Sequence, residues 1–210
     1  MPGLLLSGIA IGVAVAAPIG PVNIAVIRRG LSRGFYPAWM LGLGAGVADA
    51  SYVVLVYLGL APIISQSLAF RLILWGAGGA FLIYLGLSGL RAKDTQSIGE
   101  GAPPKAELHP FFTGLGITLL NPMTVVSWLV IGGAFFSSIT LGQDIAGGAF
   151  FVLGIFLGSI LWSGSVALTT HFARRFVNSR VLSAVSIIAS LALIAFGLGF
   201  FVQAAQAFRG

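Results

Sequence analysis

The sequence predicts an all-α, polytopic membrane protein with six transmembrane helices, arranged as two inverted three-helix repeats with breaks in spans one and four. Three observations predict it. The chain of 210 residues is 58% hydrophobic and only 8% charged, with a mean hydropathy of +1.04. Its apolar residues fall into six runs, each long enough to cross a bilayer, which takes about 20 residues. Its basic residues gather in alternate connections between those runs. A soluble domain carries about 25% charged residues, so this chain can cover a surface facing lipid but not one facing water. The runs are apolar on all sides, whereas a membrane barrel alternates apolar and polar residues.

The spans are 4–27, 37–61, 70–90, 111–137, 144–169 and 181–206. They and their short connections fill the length and leave no room for a separate soluble domain. The connection 91–110 is the longest. It holds Gly99, Gly101, Pro103 and Pro104 and reads as a flexible cytoplasmic linker. The chain therefore divides into a first repeat over 1–90, the linker over 91–110 and a second repeat over 111–210. Residues 4–13 followed by Ala14-Val15-Ala16 have some features of a cleaved signal. No Lys or Arg precedes that run and it stays apolar to Ile27, so it is expected to remain as span one.

Charge orients the spans. Arg28, Arg29 and Arg33 follow span one, Arg91, Lys93 and Lys105 follow span three, and Arg174, Arg175 and Arg180 follow span five. Only Arg71 and Arg209 lie on the other side. The positive-inside tendency puts the first group in the cytoplasm and both termini outside. The net charge of +6 is accounted for in this way, and nucleic acid is not an expected partner. Absence of cysteine excludes disulfides, thiolate metal sites and thiol relays.

The halves share a faint pattern. Gly12 stands six residues before Pro18, as Gly116 does before Pro122. Gly42 and Gly46 correspond to Gly154 and Gly158, and Gly86 to Gly197. Three spans is an odd number, so the second half enters the membrane in the opposite sense, an arrangement found in transporters.

The sharpest motif is Pro18-Ile19-Gly20-Pro21-Val22-Asn23 in span one. Each proline removes a backbone donor and crowds the preceding turn, and Gly20 permits unusual dihedrals. The segment should unwind the span. Exposed backbone at membrane depth is tolerated only inside protein or beside a wet cavity. A half-helix beginning near Pro21 would offer free N–H groups and a positive dipole end to an anion such as a carboxylate, with Asn23 beside it. The bland alternative is a simple proline kink. Asn121-Pro122 in span four, flanked by Thr118 and Thr124, is the matching element; there Asn121 either satisfies carbonyls freed by Pro122 or belongs to a second broken helix.

Asp49 is the one acidic residue in the interior of a span, since Asp144 only opens span five. A carboxyl group there is expensive and usually faces a pathway. It is the candidate proton carrier, or else the partner of a substrate ammonium. Its structural alternative is a bond to Ser51, Tyr52 or helix backbone. Gly42, Gly46 and Ala50 form a small-residue stripe suited to close helix packing, or to a homodimer seam. His109 and His171 lie at the boundaries of connections, where a metal role is not expected. Trp39, Trp75, Trp128 and Trp162 are mostly near span ends, where indoles anchor at the interface; Trp128 and Trp162 could instead line a cavity. Gly42-x-Gly44-x-Gly46 is apolar membrane sequence rather than a phosphate cradle. No catalytic constellation, metal cluster or cofactor motif is visible, which argues against an enzyme.

Taken together, these motifs resemble the LysE/RhtB family of amino-acid exporters over nearly the whole chain. The most specific part is Pro18 to Asn23 followed by Arg28-Arg29-Gly30, with Asp49 and Asn121-Pro122 behind it. Family members typically carry Pro-Gly-Pro, and here Ile19 intervenes. The resemblance implies a small exporter of the bacterial inner membrane, driven by the proton gradient. The expected substrate-binding residues are Pro18, Gly20, Pro21, Asn23, Asp49, Thr118, Asn121 and Pro122, with Asp49 also coupling protons. The partners are lipid, a small-molecule substrate and protons. Two rivals remain: a divalent-cation exporter of the same superfamily, which should show more acidic or His ligands in the spans, and a non-transporting membrane subunit.

Overall fold

A computed structural model describes residues 2–59, 68–96, 108–137 and 145–209. Among these residues every element is helical. They are α1 (Pro2–Ala16), α2 (Pro21–Arg33), α3 (Phe35–Tyr57), α4 (Leu68–Gln96), α5 (Pro110–Leu119), α6 (Pro122–Ser137), α7 (Ile145–Ala173), a 3₁₀ turn (Arg174–Phe176) and α8 (Ser179–Arg209). Four helices are long and apolar enough to cross a bilayer alone. Two bent pairs each match a span when joined: α1 with α2, bent by 81°, and α5 with α6, bent by 64°. Four to six spans therefore follow by length and composition.

Both breaks fall where the prolines predict. Pro21 and Pro122 occupy the first turn of α2 and α6, where the missing N–H costs nothing and the fixed φ favours helix. Elsewhere the expected connections are shorter than the charge pattern suggests. The predicted loop 28–36 is mostly helix, since α2 runs on to Arg33 and only Gly34 separates it from α3. Gly34 turns the chain at φ 88°, a left-handed value that glycine adopts without strain. Arg29 is buried against the protein rather than solvated. The predicted loop after span five narrows to the 3₁₀ turn and two residues. Most of the linker (97–107) and the connections 60–67 and 138–144 lie outside the described residues, with Glu100, Glu107 and Asp144 among them.

The packing is interleaved. α1 lies along α7, α5 lies along α3, α3 crosses α7, and α4 pairs with α8. Glycine makes the closest of these crossings. A Cβ on Gly8 or Gly12 would run into the Phe151 or Ile155 carbonyl of α7, and one on Gly158 would strike Ile9 of α1. On the other side, Gly44 meets the Phe111 carbonyl and Gly114 meets the Leu41 carbonyl. Such approach lets backbones touch, and van der Waals contact holds helices together where lipid supplies no hydrophobic drive. Gly42 and Gly46 pack on Ser163 and Ser159 of α7, so the small-residue stripe is used within the chain.

Two apolar clusters fill the interior. One gathers Val26, Leu41, Leu82, Ile117 and Leu193; the other gathers Val53, Val125, Trp128, Phe151 and Ile155. Large apolar side chains also cover the outside, among them Ile73, Val130, Leu161, Ile188 and Val202. A surface so apolar suits lipid.

Candidate functional site

The two breaks open onto one cavity of about 310 Å³. From the first break, Pro18, Gly20, Pro21 and Asn23 line it; from the second, Thr118, Asn121 and Thr124. Asp49 on α3 and Ser159, Trp162 and Ser163 on α7 form further walls. Ile19, 82% exposed, and Met123 stand at its rim. Of the eight residues expected to bind substrate, seven line this cavity. Pro122 does not, although it is fully buried directly beside Asn121.

The first break is closed by Asn23. Its side-chain amide donates to the carbonyls of Ala16 (2.8 Å) and Pro18 (2.7 Å), and more weakly to Ala17 (3.4 Å). These are carbonyls that the end of α1 and the break after it leave without a backbone donor. Trp162 donates its indole N–H to the Asn23 Oδ1 at 3.2 Å. The N-terminus of α2 is different. Gly20 precedes it in extended conformation and no side chain caps it. The first-turn N–H groups of Val22 and Asn23 therefore belong to an uncapped, positive helix end whose residues line the cavity.

The second break uses other groups. Asn121 Oδ1 accepts from the Met123 N–H at 3.0 Å and caps α6. Of the two alternatives left open for Asn121, its side chain does not serve the carbonyls freed by Pro122. That task falls to Tyr52 of α3, whose hydroxyl donates to the Leu119 carbonyl, and to the Asn121 backbone N–H, which donates to the Thr118 carbonyl at 3.2 Å. The Thr118 hydroxyl is buried at the cavity wall and has no hydrogen-bond partner in the structure. A buried hydroxyl left unpaired is costly, so this atom is suited to a ligand.

Asp49 is buried, 6% exposed, and it bonds neither Ser51 nor Tyr52. Its Oδ1 accepts from Trp128 Nε1 at 2.9 Å and its Oδ2 from Ser159 Oγ at 3.1 Å. Ser51 instead donates to the Val47 carbonyl. Ser159 has no counterpart among the residues that the sequence singles out, and of the two indoles that could line a cavity Trp162 does so while Trp128 holds Asp49 from the core. One signal pointed to Trp128: an indole within a span needs an acceptor, and Asp49 was available. Outside the cavity, His171 accepts from the Phe35 N–H at 3.2 Å beside Gly34, a clasp across the α2–α3 corner. Among the described residues no three metal-ligating side chains cluster.

The cavity thus lies between two bent helix pairs, with one acid in its wall. The family model described as LysE type translocator matches residues 13–204. The chain belongs to the LysE type translocator family. Among LysE-type relatives, YcgF of Bacillus subtilis (strain 168), a protein named for amino acid efflux, is 29% identical over 99% of both chains. The chemotactic transduction protein ChpE of Pseudomonas aeruginosa is 30% identical over 83% of this chain and 86% of its own. The arginine exporter protein ArgO of Pectobacterium carotovorum is 26% identical over 85% and 86%. No solved structure matches this LysE-type chain.

Proposed function

We propose that this LysE-type protein exports an amino acid or a related small zwitterion from the bacterial cytoplasm, coupled to proton influx. One observation carries the reading: the uncapped N-terminus of α2 and the buried carboxyl group of Asp49 line the same cavity. The helix end suits a substrate carboxylate, and Asp49 suits either an ammonium group or the coupled proton. Thr118 offers its unpaired hydroxyl, and Asn121 and Pro122 set the facing half-helix. Pro18, Gly20, Pro21 and Asn23 shape the first wall. The names of YcgF and ArgO favour amino-acid efflux over a divalent-cation cargo.

The same reading includes an inverted repeat, with residues 1–90 related to 111–210 through a cytoplasmic linker at 91–110. Its support is an exchange in the packing. The leading half of the first broken span lies on the long helix of the second half, and the leading half of the second lies on the long helix of the first. Rocking of the halves about the cavity would then alternate its access. In this arrangement the protein lies in the inner membrane with both termini outside. A homodimer would have to form on a surface other than the Gly42–Gly46 face.

The test is uptake of radiolabelled amino acids into inside-out vesicles, with and without a pH gradient. Gradient-driven accumulation is expected for the wild type and lost in Asp49→Asn. Accumulation that survives Asp49→Asn unchanged removes the role given to Asp49. No flux of any amino acid removes the exporter reading.

A further inference from the structure

The two oxygens of Asp49 have unlike neighbours. Oδ1 accepts from the indole of Trp128, and Oδ2 accepts from the hydroxyl of Ser159. An indole N–H can only donate, whereas a hydroxyl donates or accepts as it rotates. Trp128 is 1% exposed and packed in the core, so its ring is held in place. A proton on Oδ1 would confront a fixed donor. A proton on Oδ2 would meet a group that can turn around.

The rest of α7 shows where Ser159 would turn. The helix carries five hydroxyls. Ser163, Thr169 and Thr170 each donate at 2.8 Å to the carbonyl four residues back. Ser165 donates to the carbonyl three residues back at 2.7 Å. Ser159 alone of the five donates away from its own helix, to Asp49. The acceptor its neighbours would use, here the Ile155 carbonyl, lies one turn behind it.

Resting on the reading that Asp49 carries the coupled proton, we propose that the proton sits on Oδ2 and that Ser159 positions it by reversing from donor to acceptor. With Asp49 ionised, both Trp128 and Ser159 donate to it. When a proton binds Oδ2, the new O–H donates to Ser159 Oγ and the Ser159 hydrogen turns to the Ile155 carbonyl. Oδ1 becomes the carbonyl oxygen and keeps its bond to Trp128, now between neutral partners. One proton is taken up and only hydrogen bonds are exchanged. Release runs the same steps backward.

The reversal reaches the cavity wall through Trp128. Its helix, α6, carries the cavity residues Met123 and Thr124 in its first turn. A bond to an ionised carboxylate is roughly twice as strong as a neutral one, so protonation loosens the grip of α3 on α6. Tyr52, one turn along α3, keeps its hold on Leu119 across the break. Tyr52 is also the other titratable group beside Asp49. The elements packed on α3 turn uncharged groups to the shared cavity: Asn23 from α2, Thr118 from α5, Ser127 from α6 and Ser163 from α7. The first cation of α2 is Arg28, more than a turn beyond Asn23.

The experiment is infrared difference spectroscopy of the full chain in lipid, titrated from alkaline to acid pH. Asp49→Asn identifies the protonated carboxyl band by removing it. Trp128→Phe is expected to raise the C=O frequency, because the carbonyl oxygen loses its donor. Ser159→Ala is expected to move the midpoint of the band, and the pH profile of export with it, to alkaline pH by about one unit, because the ionised form loses the stronger bond. Ser159→Thr should restore both. A D49N-sensitive band that ignores Trp128→Phe, or a midpoint that ignores Ser159→Ala, overturns the assignment of Oδ2 and Ser159 alone. A titration with no D49N-sensitive band overturns the proton reading of Asp49 itself. The band needs no transported substrate, so an error about the cargo leaves this test intact.

Discussion

Trp162 donates its indole N–H to Asn23 Oδ1, and Asn23 donates its own amide to the carbonyls of Ala16, which ends α1, and of Pro18 in the break. The long helix α7 thus grips the first break through a side chain rather than through backbone. Asn23→Ala should cost about 1 kcal/mol, since the partly buried carbonyls of the break lose their donor. Trp162→Phe should cost less, because only one acceptor loses its partner. Combined, the two should fall short of their sum by about 0.5 kcal/mol or more. Unfolding in mixed micelles measures all three, and strict additivity would argue that the two residues act separately.

The second break gives a complementary expectation. Tyr52→Phe keeps the ring and removes only the hydroxyl that serves the Leu119 carbonyl. A loss of about 1–3 kcal/mol is expected. Asn121→Ala removes the cap on Met123 and should cost about 1 kcal/mol, while Asn121→Ser retains an acceptor and most of the stability. Equal melting temperatures for Ala and Ser at position 121 would show that the cap contributes nothing.

The glycine crossings can be tested by one methyl group. Gly114→Ala would push a Cβ into the Leu41 carbonyl and should cost about 1–3 kcal/mol or more. Gly199→Ala meets nothing within 4 Å and should be neutral or slightly stabilising, as alanine favours helix by up to about 1 kcal/mol. Thermal unfolding in detergent separates the two. A tolerated Gly114→Ala would mean that α3 and α5 can move apart without loss.

Thr118 offers a change that should affect binding more than folding. Its hydroxyl has no partner in the structure, so Thr118→Val removes an unmet group and keeps the shape. Stability should hold or rise by about 1 kcal/mol. Apparent substrate affinity, read from the concentration dependence of vesicle uptake, should fall. Unchanged affinity would take Thr118 out of the binding site.

Much of this was legible in the sequence, for identifiable reasons. Pro18, Gly20, Pro21 and Pro122 act on their own backbone, so the breaks could be read locally. Asp49 stood out because a charge in a span is costly wherever it points. The partners of these residues were not legible. Trp128, Ser159 and Tyr52 sit on helices that are apolar all round, and such helices lack the polar face that would tell inside from outside. The length of α2 was misread for a different reason. Its arginines look like a solvated loop, yet Arg29 is buried and the helix continues to Arg33. The close pairs Gly44 with Phe111 and Gly114 with Leu41 depend on how helices cross, which no local pattern encodes.

The interleaved packing also bears on how the chain is made. α1 leaves the ribosome well before α7, but the surface that fits Gly8 and Gly12 lies on α7, more than 100 residues further along the chain. Until then α1 must wait in the bilayer with its glycine groove filled by lipid tails or by a neighbouring helix. Insertion and final folding are therefore separate events for this protein, and truncation before α7 should leave membrane-inserted but unassembled helices exposed to quality-control proteases.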